Sequence, residues 1–179
     1  TAQGGITDTE AGLDLWRLAT LAHGDKETQS ALIGENTWDA IRPRLARTDF
    51  GRQFLAAWDR FMTEHGQHCH NELELLSPRW GETPEYILHL VRGYLGSIDR
   101  ANPLERRRQL IDERERLTAG CRAKLRNPIK RRLFDWSLQG TQRLARDRED
   151  WKSETVRFLA GARRLFLELG QRLQQQGIL

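Results

Sequence analysis

Hydrophobic residues recur every three or four positions through most of this chain, which is the spacing of one buried face of an α-helix. The pattern predicts a first helix that Thr7 or Asp8 caps and that runs to about Ala22. Shorter helices are predicted from Asp25 to Leu32 and from Thr37 onward. The first part of the chain is therefore expected to be a set of short helices.

The next predicted helix carries a stripe of large side chains. It starts at Thr48 or Asp49, and its stripe consists of Phe50, Phe54, Trp58, Phe61 and Met62. Gly66 stands where helices commonly end in the left-handed conformation. Such a stripe can form a ligand surface, but aromatic residues at helical spacing bury so much apolar area that they usually belong to a core. We predict a core role for most of the stripe.

The second half of the chain predicts longer helices. Thr83 and Pro84 are a favourable pair for a helix start, and Pro103 begins a long charged helix. Asn127–Pro128 ends that helix and starts another, in which Leu133 and Trp136 are expected to point inward. The helical pattern continues to Gln176, and the spacing leaves open a break near Asp147.

Only the stretch around residues 66–83 lacks helical spacing. Its sole candidate for an extended strand is Leu73–Leu76. The predicted fold class is therefore all-α: a helical bundle with long C-terminal helices packed on shorter N-terminal ones, and one irregular loop around residues 66–83.

Composition is consistent with a single folded helical domain over residues 1–179, with 38% hydrophobic and 30% charged residues. The chain starts without methionine and ends directly after a helical run, so we interpret it as a piece of a larger protein. No apolar run approaches the ~20 residues of a membrane span, and no signal peptide opens the chain. Cys69 and Cys121 are expected to be free thiols, which favours the cytoplasm.

The formal net charge is +4, and many basic residues fall between positions 100 and 132. Acidic residues are interleaved with them, which favours a solvated helix face over a nucleic-acid stripe. The segment also lacks a helix-turn-helix signature and the exposed aromatic residues of a single-strand binder. Nucleic acid is therefore not favoured as a partner.

A group of potential metal ligands lies at the start of the loop and consists of His65, His68, Cys69, His70 and Glu72. Structural zinc sites usually take paired ligands from two distant segments, whereas one segment supplies all of these. We therefore predict no metal site. Cys69 has neighbouring histidines but no visible oxyanion-binding feature, and no phosphate-binding loop is present. An ion pair between Glu72 and Arg79 is expected to brace the loop.

One family resemblance emerges from these motifs. Residues 65–75 read His-Gly-Gln-His-Cys-His-Asn-Glu-Leu-Glu-Leu, and Ser77-Pro78-Arg79-Trp80 and Glu82-Thr83-Pro84 follow. Together with the runs at residues 148–152 and 163–173, they resemble the central helical region of phosphoenolpyruvate-utilising phosphotransferases, the phosphoenolpyruvate synthase-like and rifampicin phosphotransferase proteins. Family members read Gly-His-Arg where this chain has Gly66-Gln67-His68, so this chain departs from the family pattern by lacking that arginine.

The resemblance implies a parent enzyme with an ATP-grasp domain that cleaves ATP, using Mg, and a swivelling domain with a phosphorylatable histidine. Those two flanking domains would be the partners of this chain, together with a small-molecule phosphoryl acceptor. None of the histidines of this chain has the glycine-rich, Ser/Thr-preceded context of a phosphocarrier histidine. The chain is therefore expected to hold no cofactor and no catalytic residue of its own.

On this interpretation the chain is the substrate-side helical domain of an ATP-dependent dikinase-type phosphotransferase. Its predicted substrate-binding residues come from the aromatic helix and the loop: Trp58, Phe61, Met62, His65, His68, Glu72, Arg79 and Trp80. Largely apolar walls with a few polar groups suit a bulky amphiphilic acceptor. The alternative is a non-catalytic helical spacer or protein-interaction module that only docks neighbouring domains.

Overall fold

The computed structural model describes residues 9–34, 37–98 and 102–178, and every regular element within them is helical. In chain order the helices are α1 (Thr9–His23), α2 (Lys26–Gly34), α3 (Trp38–Leu45), α4 (Asp49–His65), the 3₁₀ turn Trp80–Glu82, α5 (Pro84–Leu95), α6 (Pro103–Lys124) and α7 (Pro128–Gln175). The predicted all-α class is confirmed, with long C-terminal helices and an irregular loop at residues 66–83.

Local capping explains several helix starts. The Asp25 carboxylate accepts a hydrogen bond from the Thr28 amide at 2.9 Å, and the Thr48 hydroxyl accepts one from the Gly51 amide at 2.9 Å. The predicted cap at Thr7 or Asp8 lies outside the described residues. In the loop, Leu73–Leu76 forms turns instead of a strand, because the Glu74 amide bonds back to the Asn71 carbonyl.

Two compact units divide the chain, and the first comprises residues 1–101 and 156–179. Its core contains Phe54, Trp58 and Phe61 of α4, which confirms the core prediction for these members of the stripe. Trp58 stacks on Trp38 with ring centroids 3.9 Å apart. The remaining core side chains come mainly from α1, α2, α3 and α5. That residues 1–179 act as a single domain stays a prediction.

The second unit, residues 102–155, contains α6 and the first part of α7. The side chain of Asn102 caps α6 and that of Asn127 caps α7, each by accepting hydrogen bonds from two backbone amides. All of its residues are described and none of them is buried. The prediction that Leu133 and Trp136 point inward was wrong, since they are 61% and 73% exposed.

The open question about a break near Asp147 is resolved, because α7 runs without interruption from Pro128 to Gln175. None of the helices in the described ranges combines the length and the apolar content that a membrane span requires.

Candidate functional site

The loop at residues 66–83 starts where α4 ends, at a close approach between two glycines. Gly66 has φ −63°, so the predicted left-handed conformation was wrong. A Cβ at Gly66 would overlap the carbonyl oxygen of Met62 and would lie 3.6 Å from the Cα of Gly81. The Gly81 amide donates a 3.0 Å hydrogen bond to the Gly66 carbonyl. Glycine is therefore required at position 66 for space and not for backbone torsion.

Arg79 crosses the inside of the loop and is only 3% exposed. Its guanidinium donates hydrogen bonds to the Cys69 sulfur at 2.8 Å, the Glu72 carbonyl at 3.0 Å and the Glu74 carbonyl at 3.4 Å. Arg79 thus braces the loop as expected, but it contacts the backbone of Glu72 and not its carboxylate. Burial raises the pKa of the Cys69 thiol, against the opposing effect of Arg79.

The Glu72 carboxylate contacts the His68 side chain instead. Its Oε1 lies 2.7 Å from His68 Nδ1, and the two side chains are 11% and 4% exposed. A second histidine pair joins α4 to α1, since His65 Nε2 lies 2.9 Å from Asp14 Oδ2. Burial alone would raise the pKa of Asp14, but hydrogen bonds from His65 and Arg17 outweigh it and hold the pKa below its usual value.

Ring contacts join these histidines to two aromatic side chains. Phe61 lies 4.9 Å from His65 and 6.3 Å from Trp80, and His68 lies 5.3 Å from Trp80, between ring centroids. We call Phe61, His65, His68 and Trp80 the histidine–aromatic cluster. The structure therefore brings half of the predicted site residues together, in a buried position.

Arg163 on α7 holds the outer side of the loop. Its guanidinium donates to the Leu75 carbonyl at 2.5 Å and to both oxygens of the Glu82 carboxylate at 2.8–3.1 Å. The hydrogen bonds from Arg163 lower the pKa of Glu82, and Glu82 raises the pKa of Arg163 in turn. We call this arrangement the Arg163 clasp. In the sequence, Arg163 is recognisable only as part of a family motif, and no local pattern indicates Glu82 as its partner.

The clasp is expected to make stability depend on pH. Because the pKa of Glu82 in the folded state lies below its ordinary value of 4.5, the pair stabilises the fold above about pH 4.5 and loses that contribution as the pH falls. Glu82→Gln should therefore lower the free energy of unfolding at pH 7 and have a smaller effect at pH 3. Urea unfolding at both values measures this difference.

Glu168→Gln is the matched control for the clasp. Glu168 pairs with Arg172 at 2.8 Å, but both side chains are more than half exposed, so the pair is expected to contribute little. Equal effects of the two substitutions at pH 7 would contradict a stabilising role for the clasp.

Two cavities lie beside this site. The first, of about 500 Å³, lies between α4, the loop and α7, and is lined by Met62, Thr63, Gly66, Gln67, Arg79, Gly81, Glu82, Ala160 and Arg164. The second, of about 330 Å³, is lined by Asp14, Arg17, Leu18, Leu21, Ala57, Arg60, Phe61 and Glu64. Of the eight predicted site residues, Met62 and Arg79 line the first cavity and Phe61 lines the second.

The remaining predicted residues are largely enclosed. Trp58 packs in the core on Trp38, and Met62 and Glu72 are the only two of the eight that are not fully buried. The predicted substrate-binding role of this set stays a prediction.

One group of side chains has the composition of a metal site. Ligand atoms of Asp14, Glu64 and His65 lie within 4.8 Å of one another. However, Asp14 and His65 already share a hydrogen bond, and Arg17 takes the other Asp14 oxygen at 2.6 Å. These contacts already occupy both carboxylate oxygens of Asp14 and the Nε2 atom of His65. Sequence inspection missed the group because Asp14 is 51 residues from His65.

On an all-α scaffold, the braced loop carries the His-Gly-Gln-His and Pro-Arg-Trp motifs, which resemble those of a phosphotransferase family. The chain belongs to the family described as the rifampicin phosphotransferase fourth domain, whose model matches residues 1–149. The resemblance found in the sequence is confirmed.

Two relatives are similar to this chain over most of its length, and the first of them is named a phosphotransferase. The chain is 24% identical over 151 residues to the uncharacterized phosphotransferase YvkC of Bacillus subtilis (strain 168), a match that covers 83% of this chain and 18% of that protein. It is 27% identical over 176 residues to chondramide synthase cmdD of Chondromyces crocatus, covering 96% of this chain and 4% of that protein. The chain thus spans less than a fifth of either relative. No solved structure matches it.

Proposed function

We propose that this chain is the substrate-side helical domain of an ATP-dependent dikinase-type phosphotransferase, phosphoenolpyruvate synthase-like or rifampicin phosphotransferase-like, and that it is not catalytic alone. The observation that carries the proposal is the match of residues 1–149 to the fourth domain of rifampicin phosphotransferase. A relative that is named a phosphotransferase and is much longer than this chain supports it.

In this proposal the partners are a flanking ATP-grasp domain and a swivelling phosphohistidine domain. ATP and Mg act in the parent enzyme and not on this chain, and the parent is cytoplasmic. The contribution of this chain is a loop of fixed conformation, which Arg79 holds from inside and the Arg163 clasp holds from outside. A fixed loop at the edge of a helical scaffold can position a bound acceptor without supplying a catalytic group.

The eight predicted site residues then have two different roles. Met62 and Arg79 contact the acceptor, because they line the 500 Å³ cavity, whose volume is typical of small-molecule sites. Phe61, His65, His68 and Trp80 support the loop from behind, and Glu72 fixes His68. Trp58 anchors α4 in the core. This division follows burial, since an enclosed side chain can shape a site without touching the ligand.

A fluorescence titration tests the proposal. Trp80 lies between Arg79 and Gly81, which both line the cavity, so a rifamycin-like macrocycle should quench tryptophan emission in a saturable way. Met62→Ala should weaken the binding. Leu55→Ala, on the same helix and half-buried outside the cavity, is the matched control and should leave it unchanged.

Free N-acetyltryptophanamide corrects for absorption by the coloured ligand. Quenching that rises linearly and equally for the protein and for free tryptophan would count against acceptor binding.

One observation favours the alternative of a non-catalytic spacer or protein-interaction module. The second unit buries none of its residues, and Trp136 and Trp151 are 73% and 75% exposed. Such exposed aromatic side chains are expected on a surface that a neighbouring domain covers. Such a module would associate with a separately made ATP-grasp or phosphohistidine domain and would bind no small molecule.

A further inference from the structure

The guanidinium of Arg79 forms no direct ion pair with a carboxylate among the described residues, although its charge acts on Glu82 at longer range. The three groups that accept its hydrogen bonds are two backbone carbonyls and the Cys69 thiol, whose pKa burial raises. Its Nε has no hydrogen-bond partner, and among the described residues Arg79 forms no ion pair. A buried guanidinium is costly unless an anion compensates it. The hydrogen bonds of Arg79 inside the loop therefore leave room for a direct anionic partner.

The larger cavity is the place from which an anionic group can reach Arg79. Arg79 lines it together with Arg164, an exposed arginine on α7 that has no ion-pair partner in the described part of the chain. Glu82 is the only acidic residue in the lining, and its carboxylate is held by Arg163 in the clasp. The lining therefore carries two guanidinium groups, Arg79 and Arg164, and one carboxylate, Glu82, which Arg163 already binds directly.

The neutral lining residues Thr63 and Gln67 have polar groups that are already hydrogen-bonded within the chain. Thr63 donates its hydroxyl to the Asp59 carbonyl at 2.8 Å, and Gln67 donates its amide to the Glu64 carbonyl at 2.8 Å. Both side chains are thus tied to α4, and the guanidinium groups remain the main recognition elements. Guanidinium groups bind carboxylate and phosphate oxygens through short, charge-assisted hydrogen bonds.

We propose that this cavity binds the oxyanion group of a small organic ligand, a carboxylate or a phosphate, between Arg79 and Arg164. A volume of about 500 Å³ exceeds what a bare anion needs, so the anionic group is one end of a larger molecule. The inference goes beyond the proposed function, because it holds whichever acceptor the parent enzyme uses.

Nitrogen–proton NMR spectra of the labelled chain test this inference directly. Inorganic phosphate and acetate are titrated in separate arms at constant ionic strength, with chloride as the replaced anion. The Arg79 Nε–H signal and the Gly81 amide signal should shift in a saturable way with at least one of the two anions. The arm that saturates at lower concentration identifies phosphate or carboxylate as the preferred group.

Arg164→Gln should weaken the anion affinity by about tenfold, which is typical for the loss of a hydrogen bond to a charged group. This residue is exposed, so its replacement is not expected to disturb folding. Arg47→Gln is the matched control: Arg47 is exposed in the same unit, lies outside both cavities, and its replacement removes the same charge.

Two outcomes would overturn the inference. One is that neither anion shifts the two signals more than chloride does. The other is that Arg164→Gln and Arg47→Gln weaken the response equally, which would indicate general charge screening. Neither outcome bears on the macrocycle titration, so the failure of one proposal is distinguishable from the failure of the other.

Discussion

Replacing Trp58 with alanine should lower the free energy of unfolding by about 3–5 kcal/mol, as is typical when a large aromatic side chain is removed from a core. Trp58 is 1% exposed, stacks on Trp38 with an interplanar angle of 17°, and lies 6.2 Å from Phe54 between ring centroids. Its removal leaves a space that α3 and α4 fill only in part. Urea unfolding followed by circular dichroism measures the loss.

Trp136→Ala is the control for this substitution. Trp136 is 73% exposed, so its replacement should change the free energy of unfolding by less than about 0.5 kcal/mol. Similar losses for the two variants would contradict the position of Trp58 in the core. A Trp58→Ala variant that keeps its stability but loses macrocycle binding would instead make Trp58 part of the ligand surface.

Replacing Gly66 with alanine should lower the free energy of unfolding by about 1–3 kcal/mol, as is typical when a methyl group is forced into a packed site. The new Cβ would overlap the Met62 carbonyl oxygen and press towards Gly81, so the end of α4 and the loop would have to separate. The same separation should reduce ligand binding at the adjacent cavity. Urea unfolding and the macrocycle titration report the two effects.

Gly93→Ala is the matched control for Gly66→Ala. Gly93 lies within α5, and a Cβ there would meet no atom within 4 Å. This variant should be more stable than the wild type by about 0.5–1 kcal/mol, because alanine is the better helix former. A neutral effect of Gly66→Ala would show that the two chain segments have room to move apart.

Local sequence patterns were sufficient for most helices because helix spacing and caps are local properties. The Asn102 and Asn127 caps and the apolar face of α4 are all readable within one or two turns of chain. Pro43 shows the limit of such rules. A proline beyond the first turn usually bends or ends a helix, yet α3 continues past Pro43 to Leu45.

The contacts that shape the site were not predictable in the same way. Arg163 pairs with Glu82, which is 81 residues away in the chain, and His65 pairs with Asp14, which is 51 residues away. No local sequence pattern encodes contacts between residues so far apart. The sequence did locate the loop and its polar residues, but it could not show that Arg79 is buried or which atom of Glu72 it contacts. Periodicity also identified an apolar face around Trp136 without indicating whether any part of this chain covers it.

The order of the two units along the chain has a consequence for how this domain can change in evolution. Residues 102–155 form an excursion that leaves the first unit after residue 101 and returns to it at Val156. The entropy cost of closing a flexible loop grows only with the logarithm of its length, about 0.6 kcal/mol for each doubling. Most of the excursion is helical, and the turn at residues 125–127 between α6 and α7 is where such a loop can lengthen, so insertions there cost the first unit little. The loop around Arg79, held from both sides, has no such freedom.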